Sequence, residues 1–356
     1  MNTATIRNTR RILAGLNYSG LDRIYQQLDC ELGMILTLHH VSPEPVLKFS
    51  PNAHLTVRPE FLESVVELLQ QRDIEIISLD EAHARITNPL GQTRKFAAFT
   101  FDDGYQDTLI HAVPVMKKFD IPYTVYLAPG LIEGTADLWW EGIEALVRQQ
   151  NRIAVQIAGS RNGPHELDCS SGAAKMESFK FLLNYLTNEV PELDQGRVVR
   201  ELCWLYKIDI EQLNKDQIMS WDQVRILMED PNCSIGAHTL NHRALARLTQ
   251  QQASDEVNQG AQILASELGE RPQHFAYPYG YRKAAAARDF EMMKDMGFKT
   301  AVTTRGGMIF PGHRDHLTAL PRISVNGMFQ KMRYFAPLTT GLPTRLGNGL
   351  RRFSVR

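Results

Sequence analysis

The stretch KFAAFTF, residues 95–101, is almost entirely apolar and runs directly into Asp102, Asp103 and Gly104. A short apolar run that ends at a turn is typical of a buried strand. Similar runs recur at residues 34–38, 123–127, 233–237, 274–277, 299–303 and 320–325, mostly separated by stretches with helical periodicity. Parallel strands need crossover helices, so this alternation favours a parallel sheet. The α/β pattern therefore predicts a distorted (β/α) barrel of about seven strands.

One segment interrupts the alternation of strands and helices. Residues of about 135–220 read mostly as helix and polar loop, which predicts a helical insertion in the barrel. We accordingly divide the chain into an N-terminal amphipathic helical segment at residues 1–30, a barrel at residues 31–330 and a basic C-terminal tail at residues 331–356.

Composition excludes several classes of protein. The formal net charge of −1 over 356 residues gives no overall attraction to nucleic acid, so we expect no nucleic-acid partner. The four cysteines, Cys30, Cys169, Cys203 and Cys233, lie far apart, unlike those of a zinc knuckle or a disulfide scaffold. We interpret them as buried or idle thiols.

The ends of the chain bear on localisation. Polar residues and Gly15 follow the early arginines too soon for a signal peptide, and no apolar run reaches transmembrane length. We expect a cytoplasmic protein, with the inner face of the membrane as the alternative. Apolar residues from Ile12 to Leu28 recur at helical spacing, where packing on the protein is the commoner role and membrane docking the alternative. The basic tail would add to the same face.

Two adjacent carboxylates follow the strand at residues 95–101. Neighbouring side chains in an extended chain point apart, so Asp102 and Asp103 can take different roles, one on a water and one on a metal. An isolated Asp-Asp-Gly turn is more often a solvated loop. A catalytic or metal-binding role for this acidic pair therefore depends on partner residues elsewhere in the chain.

His238 and His242 supply such partners directly after the strand predicted at residues 233–237. Imidazoles at i and i+4 share one side of a helical turn, so both can face one ion. Asp103 completes a two-His, one-carboxylate set, which leaves a coordination position for water in catalytic zinc sites. The set predicts a divalent metal ion, with Zn²⁺ favoured, and Asp102 as the general base.

The stretch FAYPYG, residues 275–280, ends another strand. Pro278 and Gly280 force a turn that can aim the Tyr279 backbone N–H at a developing oxyanion. Aromatic faces stack on sugar rings, so Tyr105 and Tyr277 are candidates for substrate contact. The alternative is a core strand that leaves through a Pro-Gly turn. Trp139, Trp140 and Trp221 could form sugar-stacking walls, but tryptophans more often pack in a core, and we favour that role.

The motifs TFDDG (100–104), HTLNH (238–242) and YPYG (277–280), in this order, resemble the first three motifs of the polysaccharide deacetylase family. This family is also called the NodB-homology or carbohydrate esterase family 4. The resemblance covers roughly residues 30–330 and implies Asp102 as base, Asp103, His238 and His242 as metal ligands and the Tyr279 N–H as oxyanion donor. It also implies that His39, at the end of the first strand, lines the pocket, although a structural histidine is a close alternative.

The chain departs from the family pattern at two points. Many members carry an arginine where Ala276 stands here, and that arginine orients the base. We expect Arg322, on the last strand, to replace it through a bidentate contact. The family's usual general-acid histidine is also missing after Leu320, which leaves His316 and His39 as candidate proton donors.

Together these features predict a metal-dependent hydrolase that removes N-acetyl groups from an amino-sugar polysaccharide, oligosaccharide or lipid-linked saccharide. One alternative keeps the fold and the metal but acts on a non-sugar linear or cyclic amide, because the catalytic set recognises little beyond an amide carbonyl. The other alternative is a non-catalytic saccharide-binding protein on the same fold.

Overall fold

The computed structural model of the protein describes residues 3–21, 31–89, 94–157, 163–343 and 346. Its strands are Gly33–Leu38 (β1), His40–Val41 (β2), Thr56–Val57 (β3), Glu75–Ile76 (β4), Phe96–Phe101 (β5), Tyr123–Leu127 (β6), Arg152–Val155 (β7), His165–Asp168 (β8), Cys233–Ala237 (β9), His274–Ala276 (β10), Thr300–Gly306 (β11) and Leu320–Ser324 (β12).

The α-helices are Thr3–Ser19 (α1), Pro59–Gln71 (α2), Leu79–Thr87 (α3), Val113–Lys118 (α4), Pro129–Ile132 (α5), Trp139–Gln149 (α6), Gly172–Asn188 (α7), Gln195–Leu205 (α8), Ile210–Gln217 (α9), Trp221–Met228 (α10), Gln250–Leu268 (α11), Ala287–Asp295 (α12) and Met332–Phe335 (α13). A π-helical turn at Thr108–Ala112 precedes α4. Short 3-10 helices lie at Pro51–Leu55, Leu245–Arg247, Pro311–Asp315, Leu317–Ala319, Gly327–Phe329 and Ala336–Thr340.

Seven parallel strands close into a barrel in the order β1, β12, β11, β10, β9, β6 and β5, and β5 pairs again with β1. The pairing of β1 with β5 runs without a break from Gly33 opposite Phe96 to Leu38 opposite Phe101. The short strand β4 pairs with the first part of β5, at Phe96 and Ala97, and β6 pairs with the last part of β5, from Phe99 to Phe101. The predicted distorted (β/α) barrel is confirmed.

The strands of the barrel are apolar on both faces because helices cover the outside and side chains fill the inside. Every residue of β5 is buried. Phe99 and Phe101 belong to the core between the barrel and its helices, whereas Phe96 and Ala98 belong to a second cluster with Tyr126. This double burial explains why the stretch at residues 95–101 reads as a continuous apolar run rather than an alternating one.

The segment between β6 and β9 forms its own apolar cluster, which contains residues of α6, α7 and α8. The same segment also contains an antiparallel hairpin, in which β7 pairs with β8. The sequence predicted helices and polar loop here, and the hairpin was not foreseen. Its strands are four residues long and carry exposed polar side chains, so they resemble loop in the sequence.

The N-terminal helix α1 packs against α13, and its Leu13 is buried. Arg10 Nε donates a hydrogen bond to the Met328 carbonyl at 2.8 Å. Packing on the body of the protein is thus visible for part of the predicted amphipathic segment, although Ile12 and Tyr18 stay exposed. The rest of that segment, at 22–30, and the C-terminal arginines Arg345, Arg351, Arg352 and Arg356 lie outside the described residues.

Among the described residues, no helix has both the length and the apolar character needed to cross a membrane. Cys169 and Cys203 are buried free thiols and Cys233 is a partly buried one, as expected. Cys30 lies outside the described residues.

Candidate metal and catalytic site

The candidate residues follow the carboxyl ends of neighbouring strands and share an unusual backbone. Asp103, Thr239, His242 and Tyr279 have φ values of 73°, 63°, 54° and 62°. Non-glycine residues rarely adopt this left-handed region, and such positions persist only where the surrounding structure holds them. The backbone therefore turns each of these residues out of its strand direction at the same end of the barrel.

Asp103, His238 and His242 come together as the sequence predicts, with one ligand atom from each lying within 4.8 Å of the others. Asp103 Oδ1 is 3.3 Å from His238 Nε2 and 3.1 Å from His242 Nε2. His238 Nδ1 lies 2.7 Å from the Ala276 carbonyl oxygen. Since that contact requires a proton on Nδ1, it leaves the Nε2 lone pair free to face Asp103.

The cluster fits a divalent cation chemically. Asp103 Oδ1 is buried and makes no hydrogen bond within the described part of the chain. Burial lowers the pKa of His242, which Asp103 only partly opposes. Burial would raise the pKa of Asp103, but His242 and His238 outweigh it and hold this pKa well below its ordinary value. One carboxylate and two imidazoles form a common donor set for such ions.

Asp102, directly after β5, is held by Arg322 on β12, with only β1 between the two strands. The Nη1 and Nη2 atoms of Arg322 donate to Oδ1 and Oδ2 of Asp102 at 2.7 and 2.6 Å. The bidentate contact predicted from the sequence is present, although the two residues lie 220 positions apart. Burial raises the pKa of Asp102, but the charge and hydrogen bonds of Arg322 outweigh it and lower this pKa.

Arg322 has no freedom to leave this position. Its Nε donates to the Thr303 carbonyl at 2.9 Å, and its Nη1 also donates to Thr100 Oγ1 at 3.0 Å. The side chain is fully buried in β12, next to β1 and β11. Both oxygens of the candidate base are therefore oriented by a fixed cation.

His39 lies at the candidate site and His316 does not. His39 Nε2 is 3.9 Å from Asp102 Oδ2, and 21% of the His39 side chain is exposed. Burial lowers the pKa of His39, opposed by the charges of Asp103 and Asp102. His316 is exposed in the loop before the amino end of β12, whereas the candidate metal ligands follow the carboxyl ends of β5 and β9. His316 therefore lies outside the group of residues that the structure brings together at this site, and its role as proton donor is not supported by a contact in the described part of the chain.

Tyr279 is positioned by its turn and by the insertion. Its φ of 62° is followed by Gly280 at 59°, and a Cβ at Gly280 would collide with the Thr304 backbone. No hydrogen bond from the Tyr279 N–H is found in the described part of the chain. The Tyr279 hydroxyl accepts a hydrogen bond from Trp139 Nε1 at 2.7 Å, and its ring lies 4.8 Å from the His242 ring.

The two tyrosines expected to contact a sugar are fully buried. The Tyr277 hydroxyl donates to the Thr318 carbonyl at 2.8 Å, and its ring packs on Phe275 and Phe290. Tyr277 thus faces the outer core of the barrel, which corrects the predicted substrate contact. The Tyr105 hydroxyl accepts a hydrogen bond from Trp140 Nε1 at 3.1 Å, so this ring supports the insertion instead of lining an open surface.

The insertion contributes two tryptophan rings to this site. The Trp140 ring lies 4.8 Å from the His242 ring, and Trp139 contacts the Tyr279 ring at 6.2 Å. Both tryptophans are core residues, as expected, but they also wall the cluster. Trp221 packs against the barrel core on α10. The sequence favoured the core role for Trp139 and Trp140 over a wall at the site, whereas the structure shows that the two roles are compatible.

A histidine–aspartate pair beside the cluster was also missed. His40 Nδ1 lies 2.7 Å from Asp107 Oδ2, and the His40 ring lies 3.6 Å from the Tyr105 ring. Burial lowers the pKa of His40, but the hydrogen bond and charge of Asp107 outweigh it, so this pKa is raised. The sequence shows His39 and His40 side by side and does not indicate which one faces the acidic pair.

Comparison with known families identifies the class of protein that this fold and cluster define. The polysaccharide deacetylase family matches residues 91–156 and 197–301, and the gap between the two parts lies within the insertion. This match confirms the resemblance predicted from the motifs and places the chain among the polysaccharide deacetylases, which are hydrolases. A comparison with curated protein sequences found no significant match.

Solved structures show the same fold. The Streptococcus pyogenes deacetylase PplD, solved in complex with acetate, superposes with a TM-score of 0.55 at 18% identity, covering 87% of this chain and 97% of that one. IcaB from Ammonifex degensii gives a TM-score of 0.52 at 16% identity, covering 86% and 97%. The polysaccharide deacetylase BC0361 from Bacillus cereus gives 0.52 at 14% identity, covering 86% and 68%. At these identities the likeness concerns the fold.

Proposed function

We propose that this protein is a metal-dependent N-deacetylase that hydrolyses an N-acetyl group on an amino-sugar polysaccharide, oligosaccharide or lipid-linked saccharide. One observation carries the proposal: Asp102, the candidate general base that Arg322 orients, adjoins the cluster of Asp103, His238 and His242. A binding protein needs neither an aligned base nor a ligand set beside it. The arrangement therefore favours catalysis over saccharide binding alone.

The proposed metal ligands are Asp103, His238 and His242, and Zn²⁺ is the favoured ion because it accepts two imidazoles and one carboxylate. Such an ion, when bound, would supply Lewis acidity at the acetyl carbonyl and at the attacking water. The ion itself is a proposal. It draws support from the buried Asp103 oxygen and from the Nε2 atoms that face it.

Asp102 is proposed to accept a proton from the attacking water, and Arg322 keeps it ionised and correctly oriented for this role. The water oxygen forms a bond to the acetyl carbon, and the Tyr279 N–H donates to the resulting oxyanion. The C–N bond then breaks. His39, beside Asp102, is the proposed group that passes the proton taken from the water on to the leaving amine, so acetate and a free amine are released.

The saccharide nature of the substrate rests on the family, because the cluster itself addresses only an amide group. A non-sugar linear or cyclic amide is the alternative substrate. A cytoplasmic location and contact with the inner membrane face through α1 and the basic tail also remain proposals. So does the expected absence of a nucleic-acid partner.

Acetate release from a panel of N-acetylglucosamine oligomers, by the purified protein, tests the proposed function. Release should require a divalent metal, disappear with a chelator, return on metal addition and be lost in Asp102→Asn. Asp315→Asn, at an exposed carboxylate, is the matched control and should retain activity. Zinc binding without acetate release from any oligomer would contradict the saccharide proposal and favour the non-sugar amide.

A further inference from the structure

The loop that carries His242 runs from His238 to Arg247 and is strained at two points. Thr239 and His242 both adopt left-handed backbone conformations, with φ of 63° and 54°. A non-glycine residue in this conformation is strained and persists only where its surroundings fix it. The groups that contact this loop therefore decide where the His242 imidazole points.

Glu256 fixes the loop from α11. This side chain is buried, and its Oε2 accepts a hydrogen bond from the Asn241 backbone N–H at 2.8 Å. Its Oε1 accepts a second hydrogen bond from Asn241 Nδ2 at 2.9 Å. Arg243 Nε forms an ion pair with the same Oε1 at 2.9 Å. One carboxylate thus contacts the residues on both sides of His242.

Glu192 contacts the same loop from the insertion, just before α8. It is buried, and its Oε1 accepts a hydrogen bond from the Ala244 N–H at 2.8 Å. Its backbone carbonyl accepts from Arg243 Nη1 at 3.0 Å. Arg247 Nη1 lies 3.0 Å from Glu192 Oε2. Two carboxylates and two guanidinium groups are therefore paired around the loop, which keeps this buried charge balanced.

We propose that Glu256 and Glu192 are positioning residues that hold the loop so that His242 can share an ion with Asp103 and His238. The inference rests on the proposed metal site. It gives the insertion a role in metal binding, because Glu192 belongs to the insertion and Glu256 to the barrel. Neither carboxylate contacts the reacting atoms, so both act through the loop.

Zinc affinity is the first measurement, by titration of metal-free protein with Zn²⁺ alone. Glu256→Gln replaces one acceptor oxygen with a donor NH₂ group, so at least one contact to Asn241 is lost. Supporting groups of metal ligands typically contribute 10- to 100-fold in metal affinity, and we expect a loss of this order. Glu192→Gln keeps an acceptor for the Ala244 N–H and should weaken binding less.

Glu267→Gln is the matched control, because Glu267 lies on the same helix but pairs with Arg225 near the surface. Hydrogen exchange of the metal-free proteins gives a second reading. Glu256→Gln should speed exchange at residues 239–244, and Glu267→Gln should not. Asn241→Ala removes the side chain that Glu256 holds, so its effect on zinc affinity should not add to that of Glu256→Gln.

Unchanged zinc affinity and unchanged exchange in Glu256→Gln would overturn the inference. If that variant does not fold, Asn241→Ala decides by the same two measurements. If the wild-type protein binds no Zn²⁺, the proposed metal site fails, and exchange at residues 239–244 alone then shows whether the carboxylates hold the loop. The two failures are therefore distinguishable.

Discussion

Arg322→Lys is the substitution that tests the organisation of the base most directly. The wild-type guanidinium makes two parallel contacts to Asp102, at 2.7 and 2.6 Å, and also binds the Thr303 carbonyl and Thr100 Oγ1. A lysine keeps the positive charge but is a point donor on a flexible stem, so it cannot reproduce the bidentate geometry. The variant thus separates orientation of the base from its electrostatic stabilisation.

The expected loss follows from the contacts. A hydrogen bond to a charged group contributes about 1.5–3 kcal/mol, and a lysine loses at least one of the two. At 1.36 kcal/mol per tenfold change, kcat/KM should fall by roughly 10- to 150-fold near pH 7. The lysine would also offset less of the rise in pKa that burial causes at Asp102. The pKa of Asp102 should therefore rise, and the acid limb of the kcat/KM profile should move to higher pH.

The assay is acetate release over a range of pH, because kcat/KM reports the titration of the free enzyme. Arg314→Lys, at an exposed arginine shortly before β12, serves as the control and should leave the profile unchanged. An Arg322→Lys protein with wild-type kcat/KM and the same acid limb would refute the assignment of Arg322 as the residue that orients the base.

Four further outcomes are expected. His242→Gln should abolish Zn²⁺ binding in calorimetry, and wild-type affinity would remove it from the ligand set. His39→Gln should lower kcat by about 10²–10⁴-fold without changing zinc affinity, and a smaller loss would exclude it as proton donor. Gly260→Ala would place a methyl group 2.7 Å from the Thr239 carbonyl carbon, so the free energy of unfolding measured in urea should fall by about 1–3 kcal/mol. An unchanged free energy of unfolding would contradict this close packing. Burial lowers the pKa of His274 from 6.5 to about 4. The free energy of unfolding should therefore be highest above pH 6.5 and should fall by up to about 3 kcal/mol towards pH 4, because the unfolded chain takes up the proton more readily. His274→Asn should show a smaller fall over this pH range, and an equal fall would exclude this histidine as the cause.

The barrel and the metal cluster could be predicted because both depend on local patterns. Each strand can be recognised in the sequence as an apolar run, and parallel strands bring their carboxyl ends to one face of the barrel. Asp103, His238 and His242 each follow such a run, so their proximity follows from the fold. Arg322 could be predicted for a different reason: the base needed a cation, and a buried strand offered one arginine.

Other residues could not be placed because their roles depend on contacts between distant segments. Tyr277 directly follows β10 and stands two positions after Phe275, so both rings point to the same, outward side, and this alternation was a signal for the core. Trp139 and Trp140 reach the site only because the insertion packs on the barrel mouth. No local pattern reports that packing, nor the pair that His40 forms with Asp107.

The closure of the barrel by its last strand has a consequence for the nascent chain. Asp102 is synthesised 220 residues before Arg322, the cation that orients it. A polypeptide stopped before β12 would already contain all the candidate ligands, yet β1 and β11 would present unpaired edges that favour association with other chains. The final strand thus protects the sheet from aggregation and organises the base in one event, which ties catalytic competence to the end of translation of the barrel.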